Sequence, residues 1–497
     1  MYLKEVWVNF YHESFTKIPK YISNLDGIVV GLNTNIDAIV NIDAVLIQKL
    51  VNEFGISVEE LLNGVENWKG NIENINDYVI GLCGCFIAGK ASEWIIQNES
   101  VYNHLLNFLP INSNYYLGGQ AGIMSSVLAE IGVPRIIVHS ISLPLELRSL
   151  FSDNKNIVVP ILTNTGDIDF IHPKNVECDD KNLYLHIISE FKKNDILKIT
   201  DDLKWICPRS NRFISTYDPL NEKMTINEGF SKGIEKIARF SNGIIISGFH
   251  MLDIHDLGIE VVKEKISDVL DYLKKIKEIN SNLVIQLELS STKNEEILEE
   301  LINLSSKEAI WDSMSCNDRE LAEILEILGE HKLANNIRSY ALQESIFEGS
   351  KIVYEKLSLK RLHIHEYGCY IVLIQNDNLL DINLVREALC YASIITANRA
   401  EKGEKLNIRE IKLENWEPFE NFELTKEFDE LTNSLAKGNL IDKDIFRRTG
   451  IAEFQNYYLV AIPTILIKKP KHTVGLGDTV SATAFAVELS LKKIGIR

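Results

Sequence analysis

Apolar and polar positions along this chain fall into alternating blocks. From about residue 225 the alternation is regular. Apolar residues recur at helical spacing over 228–240, 255–278, 293–304 and 318–342. Between them lie short apolar runs at 244–248, 283–289 and near 308–313. Such runs, too short for helices and flanked by polar turns, read as buried strands. The pattern continues through 349–358 to a strand or hairpin at 361–374 and a helix at 384–401. An irregular stretch at 405–450 follows, then a strand at 459–467 and a last helix beginning near 480. This alternation predicts a mostly parallel sheet with helices on both faces.

The first 225 residues are less regular. Residues 27–31 read as a short buried strand running into the polar turn Asn33-Thr34-Asn35-Ile36-Asp37. Helical runs lie near 44–64 and 92–108, a strand near 78–88, and a helix opens at Gly118 and runs to about Ile131. Short strands follow at 135–140, 156–162, 168–172 and 183–191. This β-rich stretch predicts a smaller domain, partly inserted into the larger one.

Composition narrows the class. The 497 residues are 45% hydrophobic and 25% charged, a globular mix long enough for two or three units. Basic residues number 52 against 70 acidic ones, leaving a net charge of −18. That excludes neither phosphate nor metal ligands, but it argues against nucleic acid and anionic membranes as partners. No apolar run approaches the ~20 residues of a bilayer span. The N-terminus lacks a basic segment followed by an apolar core, so no signal peptide is expected. Seven scattered cysteines, with Cys83 and Cys85 in C-x-C spacing, read as reduced structural thiols of a cytoplasmic protein.

Chemistry gathers where apolar strands end, as open α/β sheets require. Gly475-Leu476-Gly477-Asp478 joins a strand to a helix. It fits an N-cap on a tight turn, and it equally fits an anion site beside a base. Asn33–Asp37 and Gly118-Gly119-Gln120 fit ordinary turns, and they also fit recognition of a polyol by amides and a carboxylate. Glu320 fits a capping box with Asn317. Paired with Glu288, it also fits a Mg²⁺ site of one or two carboxylates with waters. Lys174, His186 and Arg212 are solvated cations or phosphate contacts.

The ordered set resembles the ADP-dependent glucokinase and phosphofructokinase family. The matching stretches are Asn33–Asp37 (NTNID), Gly89–Glu93 (GKASE), Gly118–Gly122 (GGQAG), His186–Phe191 (HIISEF), Asn211-Arg212-Phe213, Asn317–Glu320 (NDRE), Arg361–Gly368 (RLHIHEYG) and Thr473–Thr479 (TVGLGDT). The resemblance implies an α/β chain of the ribokinase-like fold, with a three-layer αβα domain (about 1–37, 111–157 and 216–497) and a β-containing lid (about 38–110 and 158–215). It implies transfer of the β-phosphoryl of ADP to a hexose or hexose phosphate, with Mg²⁺ as cofactor, in a modified glycolysis. A monomer or small homo-oligomer is expected.

Carried over residue by residue, Asp478 is the base, Gly475 and Gly477 with their neighbours form the anion hole, and Arg212 faces the transferring group. Asn35, Asp37, Glu93, Gly119, Gln120, Lys174 and His186 would contact the acceptor, Lys174 through a 6-phosphate and Glu93 through glucose hydroxyls. His363, Tyr367, Val474 and Gly475 would lie near the nucleotide, and Glu288 and Glu320 near the metal. Gln286-Leu287-Glu288 departs from the family's usual His-x-Glu. The rivals are an ATP-dependent ribokinase-type kinase and a non-catalytic sugar or nucleotide sensor.

Overall fold

A computed structural model describes residues 2–67, 70–111, 115–177, 184–200, 203–290, 292, 294–376, 381–403, 408–471 and 473–492. Two sheets organise it. In the larger one, seven parallel strands run in the order Arg361–Glu366, Ser313–Cys316, Val284–Glu288, Gly243–Ile246, Ile28–Gly31, Ile136–Val138 and Ile157–Leu162. Antiparallel strands finish both edges: Cys369–Gln375, Tyr457–Pro463 and Ile451–Glu453 on one side, Ile168–Ile171 on the other.

Alternation along each strand sorts side chains to two cores. Val29, Ile137, Ile244 and Ile285 face one helical layer, which includes Ile259–Ile279, Glu295–Glu308 and Asp318–Ile327. Ile28, Val30, Ile136 and Ile245 face the other, built on Leu3–Ile22, Gln120–Glu130, Ile382–Lys402 and Leu476–Lys492. The three-layer α/β architecture expected from the alternation is present.

The smaller sheet has six strands in the order Asn71–Ile72, Ser92–Ile96, Asn211–Thr216, Leu185–Phe191, Asn35–Asn41 and Tyr115–Gly118. One of its faces packs on Ile75–Ala88 through Tyr78, Leu82, Phe86, Trp94 and Phe213. Residues 78–88, read above as a strand, belong to this helix. A short all-apolar run does not distinguish buried helix from buried strand; here the start is fixed by an Asn74–Asp77 capping box. Gly81 lies against the rings of Phe213 and Trp94, which a Cβ would meet at 2.6 and 2.9 Å.

The domain boundaries need shifting in two places. Ile157–Leu162 and Ile168–Ile171 extend the large sheet, not the small one, while Asn35–Asn41 and Tyr115–Gly118 are strands of the small sheet. β-rich composition signals strands without saying which sheet they join. The expected irregular stretch at 405–450 contains helices Lys426–Lys437 and Lys443–Thr449, and the unassigned N-terminus forms Leu3–Ile22. Six cysteines are free and buried, and Cys178 lies outside the described residues. Among the described residues no helix is long and apolar enough to cross a membrane.

A bidentate ion pair crosses from sheet to helix. Arg361 Nε and Nη2 lie 2.6 and 2.7 Å from the Glu488 carboxylate oxygens, and both side chains are buried. Removing one partner strands the other charge, at a cost of about 3–5 kcal/mol. Glu488→Ala is therefore expected to lower the thermal midpoint well beyond the effect of an exposed control such as Glu235→Ala. Equal midpoints would show that the pair does not anchor this helix.

Candidate active site

The site forms where the polar face of the small sheet meets the C-terminal ends of the large sheet's parallel strands. Register explains the first half. Phe213 and Ser215 alternate with Arg212 and Thr216, and Ile187 with His186, so the residues not facing the Phe86 core project from the opposite face. Asp37 pairs with His186 across parallel strands, and Ile214 pairs with Glu93. Thr216 Oγ1 donates to Glu93 at 2.7 Å, and His186 Nε2 lies 3.1 Å from Asp218.

This cluster is held close and left incompletely satisfied. Asn35 Nδ2 donates to Asp37 at 3.2 Å, while Asn35 Oδ1 and Asn33 Oδ1 are buried without a partner among the described residues. Arg212 Nη1 donates to Thr473 Oγ1 at 3.1 Å, tying the small sheet to the final loop, yet its Nε has no partner there. Buried polar atoms without partners are costly unless a ligand meets them. Gly118 leaves the space: a Cβ there would lie 2.2 Å from Asp37 Oδ1 and 2.7 Å from Asn35 Oδ1. Gly119 has φ +72°, and a Cβ would strike the Asn33 carbonyl oxygen at 2.5 Å.

The second half is the turn into Leu476–Lys492. Gly475 has φ +69° and sits against Ile123, which a Cβ would meet at 2.7 Å. Thr479 N donates to the Gly475 carbonyl at 3.0 Å, so the helix starts here and its earlier N–H groups lack intrahelical acceptors. Gly477 lies under the ring of His365, 2.9 Å from where a Cβ would be. Asp478 stands in the first turn. Burial, with Glu288 adding to it, pushes its carboxyl up to about 6, against the attraction of Arg399 and a hydrogen bond with Gln120. Gln120 also accepts from Gly248 N and donates to the Leu289 carbonyl, so one amide joins two strand ends to the helix start that carries Asp478.

Burial likewise lifts Asp37 to about 6, with Glu93 adding to it and His186 and Arg212 opposing. For His186, burial works against the charged form, but Asp218 outweighs it and the imidazole is held above its ordinary value. Arg212 feels Glu190, Asp37, Glu93 and Asp478 together. Acceptor cluster and Asp478 thus share one electrostatic neighbourhood.

Glu288 ends its strand and accepts from Ser481 Oγ, with His365 Nε2 3.4 Å away. Glu320 does form the capping box, its carboxylate accepting from Asn317 N at 2.9 Å. Burial raises Glu320 to about 8, with His365 opposing and Glu288 adding. A divalent cation here would offset both the burial and the like charge. Among the described residues no cluster of three metal-binding side chains exists.

Two expected contacts are not brought together with the rest. Lys174 sits in the short segment Pro173–Asn175 beside the large sheet, and its Nζ pairs with Asp153 at 2.6 Å. Its reading as a lid residue near His186 depended on the misassigned strands. His363 is wholly buried, 3.4 Å from Ser315 Oγ, with no open face for a nucleotide. Tyr367, in the hairpin turn, is 68% exposed, and Val474 is buried behind the glycines. The residues that sequence reading missed are His365, Ser481 and His250. Strand alternation from His363 and helical spacing from Asp478 point to the first two; nothing marks His250, whose buried Nδ1 lacks a partner beside Glu93 and His186.

Residues 26–487 match the model of the ADP-specific phosphofructokinase/glucokinase conserved region. The chain belongs to that family. It is 29% identical to the ADP-dependent glucose/glucosamine kinase of Pyrococcus furiosus, covering 97% of this chain and 99% of that one. It is 27% identical to the ADP-specific phosphofructokinase of the same organism, covering 94% and 97%. A solved ADP-dependent kinase complex with fructose 6-phosphate and ADPβS superposes with a TM-score of 0.83 at 26% identity, covering 98% of each chain. An ancestral ADP-dependent phosphofructokinase of the Methanosarcinales gives a TM-score of 0.76 at 28% identity, covering 99% of each.

The raised Asp478 carboxyl makes a prediction about stability. Its folded value of about 6 exceeds the ordinary 3.8. Its favourable contribution is complete below the unfolded value and lost as pH rises through about 6. Ionised Asp478 therefore burdens the folded chain at pH 8. Asp478→Asn should raise the thermal midpoint at pH 8 and lose that advantage at pH 4. A variant less stable than wild type at pH 8 would contradict the electrostatics.

Proposed function

We propose that this chain is an ADP-dependent sugar kinase that moves the β-phosphoryl of ADP to a hexose hydroxyl and releases AMP. The observation that carries this reading is the set of buried, unpartnered polar atoms, Asn33 Oδ1, Asn35 Oδ1 and Arg212 Nε, in the electrostatic neighbourhood of one carboxylate at a helix start. The first two accept from sugar hydroxyls; Arg212 meets an anion.

Asp478 takes the proton from the acceptor hydroxyl as its oxygen bonds to the β-phosphorus. The bond from that phosphorus to the bridging oxygen breaks, and AMP leaves. The first N–H groups of Leu476–Lys492 and the Arg212 guanidinium stabilise charge on the transferring group, the main task in phosphoryl transfer. Glu288 and Glu320 would hold Mg²⁺ through its waters, and the ion would supply charge neutralisation of the phosphates. Gln120 fixes Asp478 against the strand ends. Tyr367, exposed beside this loop system, suits the adenosine side better than buried His363.

Two observations favour an unphosphorylated hexose as the better acceptor. Glu93 stands in the acceptor cluster, where a carboxylate accepts from sugar hydroxyls. Lys174, the candidate for a 6-phosphate, is engaged with Asp153 elsewhere. Fructose 6-phosphate, present in the related complex, is the second acceptor to test.

Sugar phosphate and AMP formed from ADP with glucose, and no sugar phosphate or ADP formed when ATP is the donor, check the donor. Asp478→Asn should keep ADP affinity within a few-fold and lose on the order of 10²–10⁴ in kcat; substantial turnover by the variant removes the base assignment. Glu93→Ala should cut kcat/KM for glucose by at least tenfold, the scale of one lost charged hydrogen bond, with a smaller effect on fructose 6-phosphate. Undiminished glucose activity would remove Glu93 from acceptor recognition.

A further inference from the structure

A cavity of about 690 Å³ lies at the opposite end of the large sheet from the site. Val284, Ser313 and Arg361 line it; each begins a parallel strand. Its volume falls in the rough range of 300–1,000 Å³ common for small-molecule sites. Leu283, Ile382, Val385, Phe485 and Leu489 make an apolar side, and Asn242, Asn280 and Asn282 add carboxamides. Ser241 also lines it, 2% exposed, with an Oγ that has no partner among the described residues.

The charge of this cavity is unlike that of the chain. Of its carboxylates, Glu488 is neutralised by Arg361 and Asp312 by Lys277 and Lys360. Arg239, in an exposed pair with Glu235, and Lys492 then stand against Asp26, and Asp312 has two lysines for its one charge. On a protein of net charge −18 this is a local excess of cations, suited to an anion.

The same wall reaches the active site through hydrogen bonds. Arg361 Nη1 donates to Gln286 Oε1 at 3.1 Å, Gln286 Nε2 donates to Ser481 Oγ at 2.9 Å, and Ser481 Oγ donates to Glu288. Gln286 and Ser481 are fully buried. The strand Val284–Glu288 spans the gap, ~13 Å at ~3.3 Å per residue. The Ser481 hydroxyl has one proton. With the Gln286 amide nitrogen facing it, that proton goes to Glu288. With the carboxamide turned over, its oxygen would take the proton instead, and Glu288 would lose its donor. Arg361 and Ser313 Oγ, both donors to Oε1, hold the first orientation. Ser313 also lines the cavity, and a ligand that takes its hydroxyl proton removes one of those donors while Arg361 stays on Glu488.

We infer that this cavity binds a small organic anion with an apolar body, and that occupancy is read at Glu288 through the Gln286 carboxamide. The coupling rests on the placement of Glu288 in the nucleotide–metal site; binding in the cavity does not.

The test uses 1-anilinonaphthalene-8-sulfonate, an apolar ring system with one negative charge, and the full chain. Its fluorescence should rise saturably at one site. Arg239→Glu with Lys492→Glu, both on the surface, should weaken binding at least fivefold, and Val385→Trp should block it. The probe should change the calorimetric affinity for Mg²⁺-ADP about fivefold or more, the ordinary scale of coupling between sites. Gln286→Leu should bind the probe and lose that change. Probe binding indifferent to the charge reversals would overturn the cavity site, and unchanged Mg²⁺-ADP affinity would overturn the coupling. No arm measures phosphoryl transfer, so a failed sugar-kinase assay and a failed probe assay are separate results.

Discussion

The Arg361–Glu488 pair is the constraint on which the site's geometry depends. It fastens the strand Arg361–Glu366 to the helix Leu476–Lys492 inside the core, with both oxygens of the carboxylate engaged. That helix carries Asp478 and Ser481 in its first turns, and the strand carries His365 over Gly477. A slip of the helix along the sheet would displace the carboxylate, its serine neighbour and the anion-facing N–H groups together. A buried ion pair is a weak source of net stability, but it strongly penalises alternative positions. Here that penalty sets the register of one helix.

Around this anchor the chain concentrates groups that burial disfavours. Asp37, Asp478 and Glu320 are all raised, each mainly by desolvation. The orphaned amide oxygens of Asn33 and Asn35 add unmet hydrogen-bonding capacity to the same site. The apolar cores on both faces of the sheet and behind the small sheet hold this cluster in place. Ligands with hydroxyls, phosphates and a cation supply what those atoms lack.

Much of this was legible in the sequence because local patterns carried it. The βα alternation after residue 225 marked the parallel strands there, although the one expected near 308–313 runs over Ser313–Cys316, and polar motifs at strand ends marked Asp37, Glu288, Glu320 and Asp478. What was not legible depended on tertiary partners. The run 78–88 is equally apolar as helix or strand until Trp94 and Phe213 cover Gly81. Lys174 could not be placed without knowing that Ile157–Leu162 and Ile168–Ile171 pair in the large sheet. Ser481 and Gln286 look like ordinary core polar residues, and only their partners show that they connect Arg361 to Glu288. The Gln286-Leu287-Glu288 departure likewise gained meaning from space: an imidazole does flank Glu288, supplied by His365 from another strand.

The interleaving of the two sheets has a consequence for how acceptor choice can change. The chain passes between them before Asn35, after Gly118, before Leu185 and after Thr216. Exchanging the acceptor-binding sheet between relatives as a cassette would require four simultaneous junctions, two of them beside the Asn33 and Gly119 contacts that shape the pocket. Recombination is therefore a poor route to a new sugar preference. Point substitution on the polar face, at positions such as Glu93 whose side chains sit on finished strands, leaves every junction intact.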